Sequence, residues 1–124
     1  MSGDPLVDAL RVQLIAEREG FDWRHLDELW DKLAEEIGEL KVAAGEGRER
    51  AQDELGDLLF MAVNLARHLK VDANAALAGA NAKFLRRWEH IMRHAHTLPP
   101  LGAPGRLEAM ETLWQEAKRL EKGG

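Results

Sequence analysis

The chain has 124 residues, 22 acidic and 17 basic side chains, no cysteine and a formal net charge of −5. An acidic balance without a strongly basic stretch argues against a nucleic-acid backbone as partner, and the lack of cysteine excludes disulfides and thiolate metal sites and fits a cytoplasmic protein. The first residues lack the positive start and apolar run of a signal peptide, and no apolar stretch approaches the roughly 20 residues of a membrane helix.

The sequence predicts an all-α fold of four to five helices in a single domain over residues 1–124. Asp4-Pro5 has the pattern of a helix cap followed by proline at the first helical position, and Gly20 ends that helix. Asp22 and Asp72 are the predicted caps of the second and fourth helices. The predicted core covers about residues 22–96, the Pro/Gly-rich loop 97–105 and the C-terminal helix about 106–121, and the predicted helices run over about 5–19, 22–44, 48–69, 72–94 and 106–121.

The third predicted helix contains an apolar run, Leu58-Leu59-Phe60-Met61-Ala62-Val63. A helix that is apolar all round is normally buried on every side. Four or five helices leave little room for such burial within one chain. We therefore expect a homodimer, or a dimer of dimers, with this helix at the centre of the bundle.

Two acidic pairs spaced i, i+3 are the most informative feature of the sequence. Glu36 and Glu39 lie in the second predicted helix, and Glu54 and Asp57 lie in the third. Residues three apart share a helix face, so two adjacent helices can converge four carboxylates on one point. Four unpaired anions repel one another and require cations, and an all-oxygen ligand set suits Mg²⁺ or Mn²⁺.

Helical phase separates the acids of the second helix. Its apolar stripe centres near Leu33 and Ile37, which places Glu36 roughly 65° from the centre and Glu39 about 125° from it. Glu35 points almost directly away from the stripe. This selects Glu36 and Glu39 over Glu35.

The same reckoning puts Glu54 at the edge of the third helix's stripe and Asp57 beyond it, with Asn64 two turns after Asp57 on the same face. The alternative is that both pairs form a solvated surface, with Lys32 and Lys41 near the first pair as the neutralising partners. A di-iron site would require Glu-x-x-His pairs, which neither acidic pair provides.

Beyond the acids, the sequence resembles the all-α nucleoside triphosphate pyrophosphohydrolases of the MazG type over about residues 8–121. The matching segments are Gly20-Phe21-Asp22-Trp23, Lys32-Leu33-x-Glu35-Glu36-x-x-Glu39-Leu40, Asp53-Glu54-Leu55-Gly56-Asp57-Leu58-Leu59-Phe60, Asn64-Leu65-Ala66-Arg67-His68-Leu69, Ala80-Asn81-x-Lys83-Phe84-x-x-Arg87 and Leu113-Trp114-Gln115-Glu116-Ala117-Lys118.

The resemblance implies cleavage of nucleoside triphosphates between the α and β phosphates, with a role in cleaning the nucleotide pool. It implies that Glu36, Glu39, Glu54 and Asp57 bind the metal. A carboxylate oxygen left free of metal can serve as general base, and Glu39 is our choice because it lies further from the stripe than Glu36 does.

The resemblance also places a substrate-binding group in the last two helices. Lys83 and Arg87, spaced i, i+4, correspond to triphosphate contacts; the alternative is a solvated basic edge. Asn81 corresponds to a position near the nucleotide, or is a surface amide. Trp114 corresponds to a position beside the base, with core packing as the alternative.

Other aromatic and histidine positions have structural interpretations. Trp30 lies near the apolar stripe and is expected in the core. His90 and His94 have metal-ligand spacing, but nothing in the sequence joins them to an acid, so we expect surface residues.

Full-length MazG proteins carry two such domains, and this chain carries one. The segment Gly45-Glu46-Gly47 is shorter than in many relatives, and no residue reports which base is preferred. The alternative to an enzyme is a non-catalytic helical interaction module, or a nucleotide or metal sensor, that retains the acidic patch.

Overall fold

A computed structural model describes residues 1–123 of the chain. Within them the structure contains five α-helices, one short 3-10 helix and no strand, which confirms the all-α prediction. No helix among these residues is long and apolar enough to cross a membrane. The elements are α1 (Pro5–Arg18), α2 (Leu26–Ala43), α3 (Arg48–His68), α4 (Ala73–Arg93), the 3-10 turn Ala95–Thr97 and α5 (Arg106–Gly123).

The ends of α1 follow the sequence pattern. The Asp4 carboxylate accepts hydrogen bonds from the backbone N–H groups of Leu6 at 3.0 Å and Val7 at 3.3 Å, and Pro5 opens the helix. At the other end Gly20 takes a φ of +87°, a conformation that glycine adopts without steric cost. Gly20 therefore ends the helix as predicted.

The predicted cap of α2 is wrong. His25, not Asp22, occupies the position before the helix, and Glu28 accepts hydrogen bonds from the backbone N–H groups of Arg24 at 2.9 Å and His25 at 3.3 Å. Asp22 instead pairs with Arg67 of α3. The Asp22 carboxylate binds the distant guanidinium of Arg67 and not the backbone N–H groups at the start of α2, where the sequence had predicted a cap. Asp72 does cap α4, accepting from the backbone N–H of Asn74 at 3.0 Å.

The chain divides into two compact units. The first, Met1–Ala76, contains α1 to α3, and α3 contacts both α1 and α2. Its buried apolar side chains are Leu29, Ala43, Met61 and Val63. Trp30, predicted in the core, is 47% exposed, so that prediction is wrong.

Within a single chain the apolar run of α3 is not buried on every side. Leu59 is 59% exposed and Phe60 42% exposed, whereas Met61 and Val63 lie in the core. One face of α3 therefore packs inside the first unit, and another presents apolar side chains outward.

The second unit begins at Leu77 and contains most of α4 together with α5. Ile91 and Ala117 are its buried apolar residues. The prediction that His90 is a surface residue is wrong, because its ring is buried and its Nε2 lies 2.9 Å from Glu116 Oε1. The expectation of one domain over residues 1–124 stays a prediction.

Candidate metal and nucleotide site

Three of the four predicted metal ligands meet where α2 and α3 pack together. Glu36 of α2 and Glu54 and Asp57 of α3 each offer one carboxylate oxygen, and these oxygens lie within 4.8 Å of one another. Glu36 and Glu54 are 5% and 7% exposed, while Asp57 is exposed. We call these three residues the acidic cluster.

Each of the two buried acids of the cluster has a partner for only one of its two carboxylate oxygens. Lys32 Nζ lies 3.2 Å from Glu36 Oε1, and Arg50 Nη2 lies 3.1 Å from Glu54 Oε1. The other oxygen of each, Oε2, is buried and has no hydrogen-bond partner among residues 1–123. Leaving a buried anionic oxygen unpaired is costly. A divalent cation bound between the two helices would remove that cost, so the residues fit such an ion.

Sequence reasoning missed Arg50. It considered Lys32 and Lys41 as neutralising partners, but Arg50 precedes Glu54 by four residues and therefore shares its face. Arg50 also lies 3.7 Å from Glu46 and 3.6 Å from Asp53. Lys41 makes no ion pair within the described part of the chain. Each buried glutamate thus has one basic partner, from its own helix and one turn earlier.

Glu39 lies outside the acidic cluster as the structure stands. It is an exposed residue one turn after Glu36. The negative charge of Glu36 raises the pKa of the Glu39 carboxyl, and partial desolvation and the charge of Glu54 act in the same direction. A carboxylate with a raised pKa is the better proton acceptor at a given pH above that pKa.

A second polar network surrounds Arg67 of α3, whose side chain is 9% exposed. Its five N–H groups all meet acceptors. Nε donates to Gln13 at 3.4 Å; Nη1 donates to Glu17 at 3.0 Å and Asp22 at 2.9 Å; Nη2 donates to Asp22 at 2.7 Å and Asn64 at 2.8 Å. This Arg67 network joins α1, the α1–α2 connection and α3.

Asp22 is the charged partner at the centre of that network. Hydrogen bonds from Arg67 hold the pKa of the Asp22 carboxyl far below its usual range, against the opposing effect of burial. His68 Nε2, 3.1 Å from Asp22 Oδ1, adds to the lowering of this pKa. Sequence reasoning missed this network because it assigned Asp22 to a local cap.

The second unit contains the four predicted substrate-binding residues. Asn81 and Lys83 are exposed on α4. The guanidinium carbon of Arg87 lies 5.1 Å from the centre of the Trp114 ring, a cation–π distance. Arg87 Nε also donates to Glu121 Oε1 at 3.0 Å. The structure therefore brings Arg87 and Trp114 together and leaves Asn81 and Lys83 on the surface.

Comparison with known proteins identifies the family of the chain. Residues 24–92 match the family described as the MazG nucleotide pyrophosphohydrolase domain. The chain is 41% identical over 121 residues to a nucleoside triphosphate pyrophosphohydrolase of Escherichia coli K12, covering 94% of this chain and 45% of that protein. It is 39% identical over 123 residues to the nucleoside triphosphate pyrophosphohydrolase/pyrophosphatase MazG of Thermotoga maritima, covering 93% and 46%. The chain thus spans about half the length of these curated relatives.

Proposed function

The chain belongs to the MazG nucleotide pyrophosphohydrolase domain family, and from that premise we propose that it hydrolyses nucleoside triphosphates to a nucleoside monophosphate and pyrophosphate. The observation that carries the proposal is the acidic cluster, with one buried and unpaired oxygen on Glu36 and another on Glu54. Two relatives that align along most of this chain are named for the same activity. A role in cleaning the nucleotide pool and a cytoplasmic location stay predictions.

The proposed metal ligands are Glu36, Glu54 and Asp57, joined by Glu39, and the proposed ion is Mg²⁺ or Mn²⁺. Hard divalent cations prefer carboxylate oxygens. Such an ion supplies neutralisation of phosphate charge and lowers the pKa of water. Lys32 and Arg50 hold one oxygen of each buried glutamate and leave the other free.

Glu39 is the proposed general base. An oxygen of its exposed carboxylate that is not bound to metal takes a proton from the attacking water. The water oxygen then bonds to the α phosphorus, and the bond from that phosphorus to the bridging oxygen breaks in line. Both electrons of the broken bond leave with pyrophosphate, so the water oxygen ends in the monophosphate.

Lys83 and Arg87 are the proposed triphosphate contacts, with Asn81 and Trp114 near the nucleoside. Arg87 reaches Glu121 through Nε and Nη2, both 3.0 Å from Oε1. A guanidinium has five N–H donors, and Nη1 carries two of them. The Nη1 donors of Arg87 can contact a phosphate while Glu121 binds the guanidinium through Nε and Nη2.

We also propose that the working enzyme is a homodimer or a dimer of dimers. The outward apolar side chains of α3, including Leu55 at 45% and Leu59 at 59% exposed, form the proposed contact. Burying such a surface against a second copy removes apolar area from water. Sedimentation at micromolar concentration tests this, and a compact monomer would contradict it.

The test of activity is a panel of nucleoside triphosphates with Mg²⁺ in ¹⁸O-labelled water. The expected products are a labelled monophosphate and unlabelled pyrophosphate. Release of orthophosphate and a diphosphate would refute the cleavage position. Glu54→Gln should abolish turnover, whereas Asp53→Asn, its exposed neighbour that also pairs with Arg50, should retain it. Metal binding without turnover of any nucleotide would instead support the sensor alternative.

A further inference from the structure

The end of α5 carries a carboxylate that binds two neighbouring arginines of α4. Arg87 Nε donates to Glu121 Oε1 at 3.0 Å, and Arg87 Nη2 lies 3.0 Å from the same oxygen. Arg86 Nε lies 3.6 Å from the other oxygen, Oε2. The side chain of Arg87 is 15% exposed, whereas that of Arg86 is 61% exposed. The pair of Glu121 with Arg87 is therefore the sheltered one, and it joins α4 to α5.

Arg87 also lies against the aromatic side chains of the second unit. Its guanidinium carbon is 5.1 Å from the centre of the Trp114 ring, and Trp114 packs against Phe84 with ring centres 5.4 Å apart. A ring attracts the guanidinium charge as a whole, so it places the group without deciding which N–H edge faces a ligand. A hydrogen-bond acceptor is needed to decide that.

Glu121 is the acceptor that decides the orientation of the guanidinium. A guanidinium can bind two oxygens of an anion through its Nε/Nη2 edge or through its Nη1/Nη2 edge. Glu121 occupies the Nε/Nη2 edge of Arg87. Nη1 of Arg87 has no hydrogen-bond partner within residues 1–123. The Nη1/Nη2 edge therefore keeps an N–H group on each nitrogen for a phosphate.

The Glu121 carboxyl is held in its ionised form. Desolvation acts to raise its pKa, but the hydrogen bond and the charge of Arg87, together with those of Arg86, outweigh it and keep the pKa of Glu121 below its usual value. Hydrogen bonds that involve ionised groups are about twice as strong as neutral ones. Ordering a long side chain on binding costs affinity. Because Glu121 orders Arg87 before a ligand arrives, a phosphate should bind more tightly.

We propose that Glu121 is a positioning residue for the phosphates of the substrate: it binds the Nε/Nη2 edge of Arg87 and leaves the Nη1/Nη2 edge open to the triphosphate. The inference rests on the proposed function, because it takes Arg87 as a triphosphate contact. The opposite role, in which Glu121 competes with phosphate for Arg87, predicts effects of the opposite sign. Variants of Glu121 therefore decide between the two roles.

Removal of the carboxylate is the first test. Glu121→Ala should raise KM for nucleoside triphosphates and the inhibition constant of inorganic tripolyphosphate roughly three- to tenfold, the factor for ordering one long side chain. The value of kcat should change less than about twofold, because the weakened contact is one of binding. Glu111→Ala, at an exposed acid of the same helix, should match wild type. A lower KM in Glu121→Ala would show competition and overturn the proposal, as would an unchanged KM and inhibition constant.

A double-mutant cycle shows whether Glu121 acts through Arg87. Calorimetric titration with tripolyphosphate and Mg²⁺ measures affinity without turnover. Arg87→Ala should weaken binding, and the addition of Glu121→Ala should weaken it no further. A purely structural Glu121 would instead weaken binding by the same factor whether or not Arg87 is present. An effect of Glu121→Ala that persists in the Arg87→Ala background would therefore overturn the proposal.

A conservative variant protects the test against loss of folding. Glu121→Gln keeps the length of the side chain and one acceptor oxygen, so it should weaken tripolyphosphate binding about twofold, less than alanine does. If Glu121→Ala loses helical content in circular dichroism, Glu121→Gln carries the test. Binding by Glu121→Gln that is as tight as that of wild type, or tighter, would then overturn the proposal.

The positioning role and the proposed function can fail separately. Wild-type protein that hydrolyses triphosphates, but whose tripolyphosphate affinity does not depend on Glu121, would overturn the positioning role alone. Wild-type protein whose tripolyphosphate affinity depends on both Arg87 and Glu121, but which hydrolyses no triphosphate, would overturn the proposed function alone.

Discussion

Replacing Glu54 with glutamine should raise the free energy of unfolding of the metal-free protein and reduce the stabilisation that a bound metal provides. The carboxylates of the acidic cluster lie within 4.8 Å of one another, and Glu54 carries a buried oxygen without a partner in the described residues. Without a cation this arrangement costs folding free energy. Glutamine keeps the shape of the side chain and removes its charge.

The magnitude follows from Coulomb's law. Two unit charges about 4.8 Å apart repel by roughly 3 kcal/mol at an effective dielectric constant of 20. The variant loses in exchange the charge pairing with Arg50. The Glu54 side chain is 10% exposed but that of Arg50 is 53% exposed, so solvent screens the pair, and glutamine still offers Arg50 an oxygen; the loss should be about 0.2–1 kcal/mol. We therefore expect Glu54→Gln to raise the free energy of unfolding by about 1–3 kcal/mol in EDTA.

Magnesium should narrow this difference in stability. An ion at 100 times its dissociation constant stabilises the wild-type fold by about 2.7 kcal/mol, and the variant, short of one anionic ligand, should gain well under half of that. Urea unfolding followed by far-UV circular dichroism, at one protein concentration with EDTA or Mg²⁺, measures both values. Asp53→Asn, whose side chain is 69% exposed, should match wild type in both. A Glu54→Gln protein less stable than wild type in EDTA, or one with the full magnesium response, would refute the reasoning.

Three further predictions concern the Arg67 network and α3. Arg67→Ala should lower the free energy of unfolding by about 3–5 kcal/mol, because it leaves the partly buried Asp22 carboxylate without its guanidinium partner. Arg24→Ala, which breaks a surface pair, should cost less than about 1 kcal/mol, and equal losses in urea titrations would contradict this. The pKa of Asp22 is lower in the folded protein than in the unfolded chain, so its ionised carboxylate stabilises the fold at pH values above about 4. This stabilisation is lost as the pH falls further, through the lowered pKa. The stability gap between wild type and Asp22→Asn should thus be constant above about pH 5 and narrow below pH 4, and a pH-independent gap would exclude the ion pair as its source. Leu59→Glu should give a monomer in sedimentation experiments with the same helical content, and an unchanged dimer would move the interface elsewhere.

The sequence alone was sufficient to predict those features of the fold that depend on the geometry of a single helix. Counting 100° per residue placed Glu54 at the edge of an apolar stripe and turned Glu35 toward solvent, and the structure buries Glu54 and exposes Glu35. The ends of α1 were predictable because Asp4 and Gly20 act through backbone groups a few residues away. Such features depend on the helix alone, so periodicity and capping chemistry find them.

Trp30 and the partners of Arg67 were not predictable in this way. Trp30 lies near an apolar stripe but remains 47% exposed, because the width of a buried face is set by the neighbouring helices and not by the stripe itself. Arg67 meets Glu17, Asp22 and Gln13 from 45 to 54 residues away, and one sequence contains no sign of such pairs.

The long-range network around Arg67 also shows how charged side chains are compensated inside the first unit. Arg67 neutralises Asp22 and fixes the Asn64 amide with the same nitrogen, Nη2. Because all five donors of that guanidinium meet protein acceptors, it has none left for a phosphate. The acidic cluster lacks such a compensating network: Lys32 and Arg50 cover one oxygen of each buried glutamate and leave the second uncovered. The incomplete neutralisation at Glu36 and Glu54 and the complete neutralisation around Arg67 are what separate a place for cations from a structural network.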